Sequence, residues 1–73
     1  MKKAIYSKEY KYLVSQVKKA REEAGLDQKK VAKLLGRTQS YVSKVESGQL
    51  RLDIIQLKEF ARIYKKRLDF FIG

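Results

Sequence analysis

Apolar residues recur at intervals of three and four along most of the chain, with polar residues between them. This spacing places the apolar side chains of each segment on one face of a helix. The pattern predicts five short helices, at about 8–24, 28–35, 39–47, 54–64 and 68–71. The inward face of the fourth predicted helix is expected to consist of Ile54, Leu57, Phe60, Ala61 and Tyr64.

Local start and stop signals separate these segments. Residue types that favour the N-cap position precede the first four helices, and glycines that can close a helix in the left-handed conformation follow the first three. The caps are Ser7, Asp27, Thr38 and Asp53, and the glycines are Gly25, Gly36 and Gly48. Because each helix is amphipathic and the connections are short, the sequence predicts an all-α fold, a compact bundle of five short helices in one domain over 8–73.

The segment 28–47 has the pattern of a helix-turn-helix. Gly36 and Thr38 predict a tight turn between its two short helices. In the second of them, Val42 and Val45 share one face, which leaves a polar outer face. That outer face carries hydrogen-bonding side chains in place of the usual solvated Glu/Lys pairs: Gln39, Ser40, Tyr41, Ser43 and Lys44. Two short helices joined by a tight, glycine-containing turn are typical of helix-turn-helix units.

The charge balance favours a polyanionic partner. Lys and Arg number 18 against 8 Asp and Glu, which gives a formal net charge of +10 and a pI of about 10.0. So basic a small domain attracts nucleic acid by counterion release. Two alternatives remain: a merely soluble Lys-rich surface and, less well supported, a basic helix on a membrane surface. The basic segment 1–7 is predicted to be a tail, either disordered or lying along a nucleic-acid backbone.

The residue inventory argues against catalysis. There is no His and no Cys, and no pair of the acidic residues has a spacing that suggests acid/base or metal chemistry. No glycine-rich phosphate loop is present either. We therefore expect no enzyme activity, no cofactor, no metal and no small-molecule ligand. A cytoplasmic location is the default, since no signal-peptide core and no apolar run of membrane-spanning length is seen.

Arg21 and Glu46 are two charges at the inner edges of predicted helices. A structural ion pair between them would tie the second helix of the helix-turn-helix to the first helix of the bundle. Two unrelated surface charges are the alternative, and spacing alone leaves the choice open.

Several motifs together resemble the Cro/CI-type helix-turn-helix family of bacterial and phage transcription regulators. They are Gly25-Leu26-Asp27-Gln28, Val31-Ala32, Leu35-Gly36, the run from Thr38 to Gly48, and Arg51-Leu52-Asp53. The resemblance extends from about Val14 to Phe71 and includes order and spacing as well as residue types. It implies a lambda-repressor-like domain of five helices whose third helix enters the major groove of double-stranded DNA. Leu50 and Lys65-Lys66 depart from the common pattern, which has a polar residue and a Gly-Val turn at these places.

The resemblance also implies roles for individual residues. Gln39 and Ser40 resemble base-reading positions, and Lys44 resembles a base- or phosphate-reading position one turn later. Gln28 and Ser47 resemble phosphate-binding positions. It favours the Arg21–Glu46 ion pair as well.

The chemistry of the residues agrees, since Gln can pair with adenine and Lys with guanine. Further candidates for phosphate contact are Arg37, Thr38, Tyr41 and Ser43. Two alternatives remain: Tyr41 as an aromatic residue at the rim of the core, and Gln39 and Ser40 as ordinary helix-start residues.

Some apolar residues are left over once five helices are packed. We predict a homodimer patch of Leu50, Ile55, Phe70, Phe71 and Ile72, with two DNA half-sites ~34 Å apart. A loose C-terminus or additional core residues are the alternative reading.

The sequence therefore predicts a sequence-specific, double-stranded DNA-binding transcriptional regulator, in the first place a repressor of its own or a neighbouring operon. The alternative is an antitoxin or adaptor that binds a toxin or another protein, with DNA binding secondary. An RNA-binding role is less well supported, because the aromatic residues fall at core spacing and form no stacking platform.

Overall fold

The computed structural model describes residues 7–73, so the predicted basic tail lies outside the described residues except for Ser7. The described part contains five α-helices and no strand. They are α1 (Lys8–Glu23), α2 (Gln28–Leu35), α3 (Gln39–Glu46), α4 (Ile54–Tyr64) and α5 (Leu68–Ile72). The predicted all-α bundle is confirmed, and the predicted helix ends differ by no more than one residue.

The first four helices begin at residues whose side chains cap them. Ser7, Asp27 and Thr38 each accept a hydrogen bond from the backbone N–H three residues later, at 2.8–3.1 Å. Asp53 and Gln56 form a complete capping box at the start of α4, with both hydrogen bonds present. Each such cap contributes about 1 kcal/mol and fixes the first turn of its helix.

Every helix packs one face into the core. Its fully buried side chains include Val17, Val31, Val42, Val45, Phe60 and Phe71. The short helix α5 is held against α1, where the side-chain amide of Gln16 donates to the backbone oxygen of Phe70 at 2.9 Å. Because its side chain is 0% exposed, Phe71 is a core residue of its own chain. Its predicted place in a dimer patch is therefore wrong.

Ile54 also differs from its predicted position. It is 54% exposed, whereas the other four residues of the expected inward face of α4 are buried. Ile54 lies in the first turn, and at this end of the helix Leu52, from the preceding loop, packs against the core instead. Helical periodicity predicts the direction of a side chain, but it does not predict whether another element covers that end of the helix.

The C-terminus of α4 is closed by a residue other than glycine. Lys65 has φ 57° and ψ 45°, in the left-handed region. The N–H of Lys66 donates to the backbone oxygen of Ala61 at 2.9 Å, which is the longer hydrogen bond of a Schellman motif. The chain thus makes the turn that glycine usually makes, with a β-carbon present.

Candidate nucleic-acid interface

The two helices α2 and α3 are packed against each other across a tight turn. Gly36 has φ 70°, and the N–H of Arg37 donates to the backbone oxygen of Ala32 at 2.9 Å, which closes α2. Val42 and Val45 are fully buried and fix the rotation of α3 about its axis. The exposed positions of α3 are consequently held at defined places on the surface.

The predicted base-reading residues lie on the solvent-exposed side of α3. Gln39 and Ser40 occupy its first turn, and Lys44 lies one turn further along; all three are exposed. Ser43, also exposed, falls between them at helical spacing. At the end of the helix, the hydroxyl of Ser47 donates to the backbone oxygen of Lys44 at 3.1 Å, which leaves its oxygen available as an acceptor.

The surface of the helix-turn-helix is positively charged. Residues 28–47 include five exposed basic residues, Lys29, Lys30, Lys33, Arg37 and Lys44. Glu46 is the only acidic residue of this range, and it forms an ion pair with Arg21. The cations of α2 were missed as candidates because Lys on an exposed helix face has no distinguishing sequence signal.

The ion pair of Arg21 and Glu46 joins α1 to α3. The guanidinium donates from Nε to Oε2 at 2.7 Å and from Nη2 to Oε1 at 3.1 Å, and its Nη1 donates to the backbone oxygen of Leu26 at 2.9 Å. Both side chains are largely buried, at 13% and 4% exposure. The hydrogen bond to Glu46 raises the pKa of Arg21 above its ordinary value.

Gln28 takes part in the same cluster. Its Nε2 donates to Oε1 of Glu46 at 3.0 Å, so one hydrogen of the amide is already used. Nearby, burial raises the pKa of Tyr64, and its hydroxyl is buried without a hydrogen-bond partner among the described residues. Sequence reasoning missed the link between Gln28 and Glu46, since it depends on how α2 and α3 pack.

Tyr41 is not placed as a phosphate ligand. Its hydroxyl is buried without a hydrogen-bond partner among the described residues, and burial raises its pKa. Its ring stacks on Phe60, with centroids 6.2 Å apart, and the guanidinium carbon of Arg37 lies 4.7 Å from the centroid of the Tyr41 ring. The prediction of phosphate contact through this hydroxyl is therefore wrong, and the alternative of a rim aromatic fits the structure.

Thr38 is both the N-cap of α3 and a candidate for phosphate contact. Its Oγ1 accepts the backbone N–H of Tyr41 at 3.1 Å, so the hydroxyl oxygen serves as the cap of α3. The hydroxyl hydrogen is still available as a donor, and the residue is exposed at the start of α3.

The predicted dimer patch is only partly exposed. Ile55 and Ile72 are each 60% exposed, whereas Leu50 and Phe70 are half-buried and pack against the core. Because Phe71 is buried, Ile55 and Ile72 are the exposed members of the predicted patch.

Within residues 7–73, no group of three or more acidic, His or Cys side chains is placed to hold a metal ion. No helix in that part of the chain is long and apolar enough to cross a membrane.

Comparison with known proteins identifies the family. A helix-turn-helix family matches residues 17–71, which is most of the chain and includes all of α2 to α4. No curated protein and no solved structure matches the chain significantly. Together with the five-helix fold, the match shows that the chain belongs to the Cro/CI-type helix-turn-helix family of DNA-binding regulatory proteins.

Proposed function

We propose that the protein is a sequence-specific transcriptional repressor, a cytoplasmic single domain over 8–73 that reads the major groove of double-stranded DNA with α3. The observation that carries the proposal is the division of α3 into two sides. Its valines are fully buried, while Gln39, Ser40 and Lys44 are exposed on a surface that is positively charged.

The exposed side chains supply chemistry for base readout. Gln39 can make two hydrogen bonds with adenine N6 and N7, and Lys44 can donate to guanine O6 and N7. Ser40 can donate to or accept from either purine. Gln39 and Ser40 lie in the first turn of α3, the part of the recognition helix that meets base edges in helix-turn-helix proteins, and Lys44 lies one turn further along.

Phosphate contacts would surround the base-reading residues. Arg37, Thr38 and Ser43 are exposed at the turn and along α3. Ser47, just after α3, can donate to a phosphate once its hydroxyl turns away from the backbone oxygen of Lys44. Gln28 fits the same role, because its Nε2 has a second hydrogen that can donate to a phosphate while the first remains on Glu46. Such contacts set the register on DNA and do not distinguish sequences.

The decisive experiment is selection of bound sites from random double-stranded DNA, followed by affinity measurements on the selected site. Gln39→Ala should lose about 1–3 kcal/mol on the selected site and keep its weak binding to random DNA. Equal losses on both would contradict base readout by this residue.

A matched pair of lysine variants tests the position of the interface. Lys44→Ala and Lys58→Ala remove the same exposed charge, but Lys58 lies on α4, which contributes no predicted DNA contact. We expect a larger loss of affinity from Lys44→Ala. Similar losses would indicate attraction by net charge alone.

The repressor is proposed to act as a homodimer. The exposed Ile55 and Ile72, with Leu50 and Phe70 beside them, would form the contact, and the half-sites would lie ~34 Å apart. Ile55→Asp should weaken the dimer in sedimentation, whereas Leu34→Asp, at a similarly exposed position on α2, should not. A monomer at all concentrations, with and without DNA, would refute dimerisation.

Repression itself is tested with a reporter gene placed behind the selected site. Expression of the protein should lower reporter output, and activation would contradict the proposal. The alternative role of antitoxin or adaptor requires another protein, such as a toxin, on the same apolar surface. A stable complex with such a protein that Ile55→Asp disrupts would favour that alternative.

A further inference from the structure

Arg37 is the basic residue of the turn, and its guanidinium lies over an aromatic ring. The distance from its guanidinium carbon to the centroid of the Tyr41 ring is 4.7 Å, within the range of cation–π attraction. The two residues are four apart, on either side of the N-cap of α3. The ring therefore lies between the core and a cation in the turn of the candidate DNA interface.

The ring is itself held in place. Tyr41 stacks on Phe60 with an interplanar angle of 19°, and Phe60 is fully buried and packs against Tyr64 at 5.9 Å. Since the core fixes Phe60, the position of the Tyr41 ring follows from the fold, and so does that of a guanidinium resting on it.

The guanidinium has no competing partner in the described part of the chain. None of the ion pairs and none of the side-chain hydrogen bonds among residues 7–73 involves the side chain of Arg37. A guanidinium stacked on a ring keeps its N–H donors, which suit the oxygens of a phosphate.

We propose that Tyr41 is a positioning residue for DNA binding, which holds the guanidinium of Arg37 ready for a backbone phosphate. The inference rests on the proposed function and deepens it. Tyr41 contributes through its ring alone, because its hydroxyl is buried without a partner. Holding the arginine in advance reduces the side-chain entropy that is lost when the phosphate contact forms.

A double-mutant cycle on the full chain tests this role. The variants are Tyr41→Leu, Arg37→Ala and the combination, with Tyr41→Phe as the matched control that keeps the ring. The probe is a double-stranded oligonucleotide of random sequence, since a phosphate contact does not depend on sequence. Dissociation constants are measured over a series of salt concentrations, well below the melting temperature of each variant.

The expected results are specific to an interaction between the two residues. Tyr41→Leu should weaken binding about two- to fivefold, as loss of an exposed cation–π contact implies, and Tyr41→Phe should bind like the unchanged protein. Arg37→Ala should weaken binding and reduce the salt slope by about 0.9, the value for one phosphate. In the Arg37→Ala background, Tyr41→Leu should have no further effect.

The contrary results separate the two proposals. If Tyr41→Leu costs as much without Arg37 as with it, the ring only supports the helix and the inference is wrong. An unchanged affinity in Arg37→Ala would overturn it as well. Random-sequence binding that shows the expected coupling, but without a preferred site in the selection, would support the positioning role and refute the proposed sequence-specific regulator. No binding to any duplex would refute both.

Discussion

Lys65 offers a direct test of backbone strain in this fold. It is the only residue other than glycine with a positive φ in the described part of the chain. A β-carbon in the left-handed region costs roughly 1–2 kcal/mol. Glycine avoids that cost but loses about 0.5–1 kcal/mol more backbone entropy on folding. The difference predicts that Lys65→Gly raises the free energy of unfolding by about 0.5–1 kcal/mol.

Lys65→Gly removes few other interactions. Lys65 is exposed, and its side chain belongs to none of the ion pairs among residues 7–73. The turn is closed by backbone groups, from Lys65 to Arg62 at 3.3 Å and from Lys66 to Ala61 at 2.9 Å. For a domain of this size, the expected gain corresponds to a melting temperature about 2–8 °C higher.

Circular dichroism at rising temperature and in urea provides the measurement. Lys65→Ala is the control, because it removes the same charge and keeps the β-carbon. Gly36→Ala is the reverse change: φ is 70° there, and an added Cβ would meet no atom within 4 Å, so its cost is conformational and about 1 kcal/mol. If Lys65→Gly is no more stable than Lys65→Ala, the left-handed conformation of Lys65 does not lower the stability of the domain.

Other predictions concern the buried polar groups and one exposed pair. Glu46→Ala should lower stability in urea by about 3 kcal/mol, since it leaves the largely buried Arg21 without its partner, and Glu46→Gln should lose less. Tyr64→Phe should raise stability by about 1 kcal/mol in the same assay, because the removed hydroxyl is buried without a partner. The hydrogen bond from Lys66 lowers the pKa of Glu23 below its ordinary 4.5, so the carboxylate stabilises the fold above that pH and this stabilisation is lost as the pH falls through the lower pKa of the folded state. In an NMR titration, Lys66→Ala should return the pKa of Glu23 toward 4.5.

The helices could be predicted because their signals are local. The caps at Asp27, Thr38 and Asp53 act on a backbone N–H three residues away, so a short window of sequence contains both partners. The turn at Gly36 is local in the same sense. The burial of Val42 and Val45 follows from spacing within one helix.

Features that depend on how helices pack could not be predicted in the same way. Ile54 has a core-facing periodicity but lies beyond the part of α4 that other helices cover. Phe71 is surplus to the core that helical spacing predicts, yet it is fully buried. Gln28 meets Glu46 across 18 residues of sequence. In these cases the deciding neighbour is distant in the chain, and one sequence does not identify it.

The dependence on packing extends to α3, which carries the proposed DNA-reading surface. With eight residues, α3 is too short to be stable as an isolated helix in water, so its tertiary contacts must hold it. Val45 and Glu46 anchor its C-terminal turn, to the core and to Arg21. Its first turn has Thr38 as a cap and the ring of Tyr41 on Phe60. Because both ends are fixed, the exposed residues between them have one arrangement, and under the proposed function a change inside the domain would alter DNA recognition without removing a contact to a base.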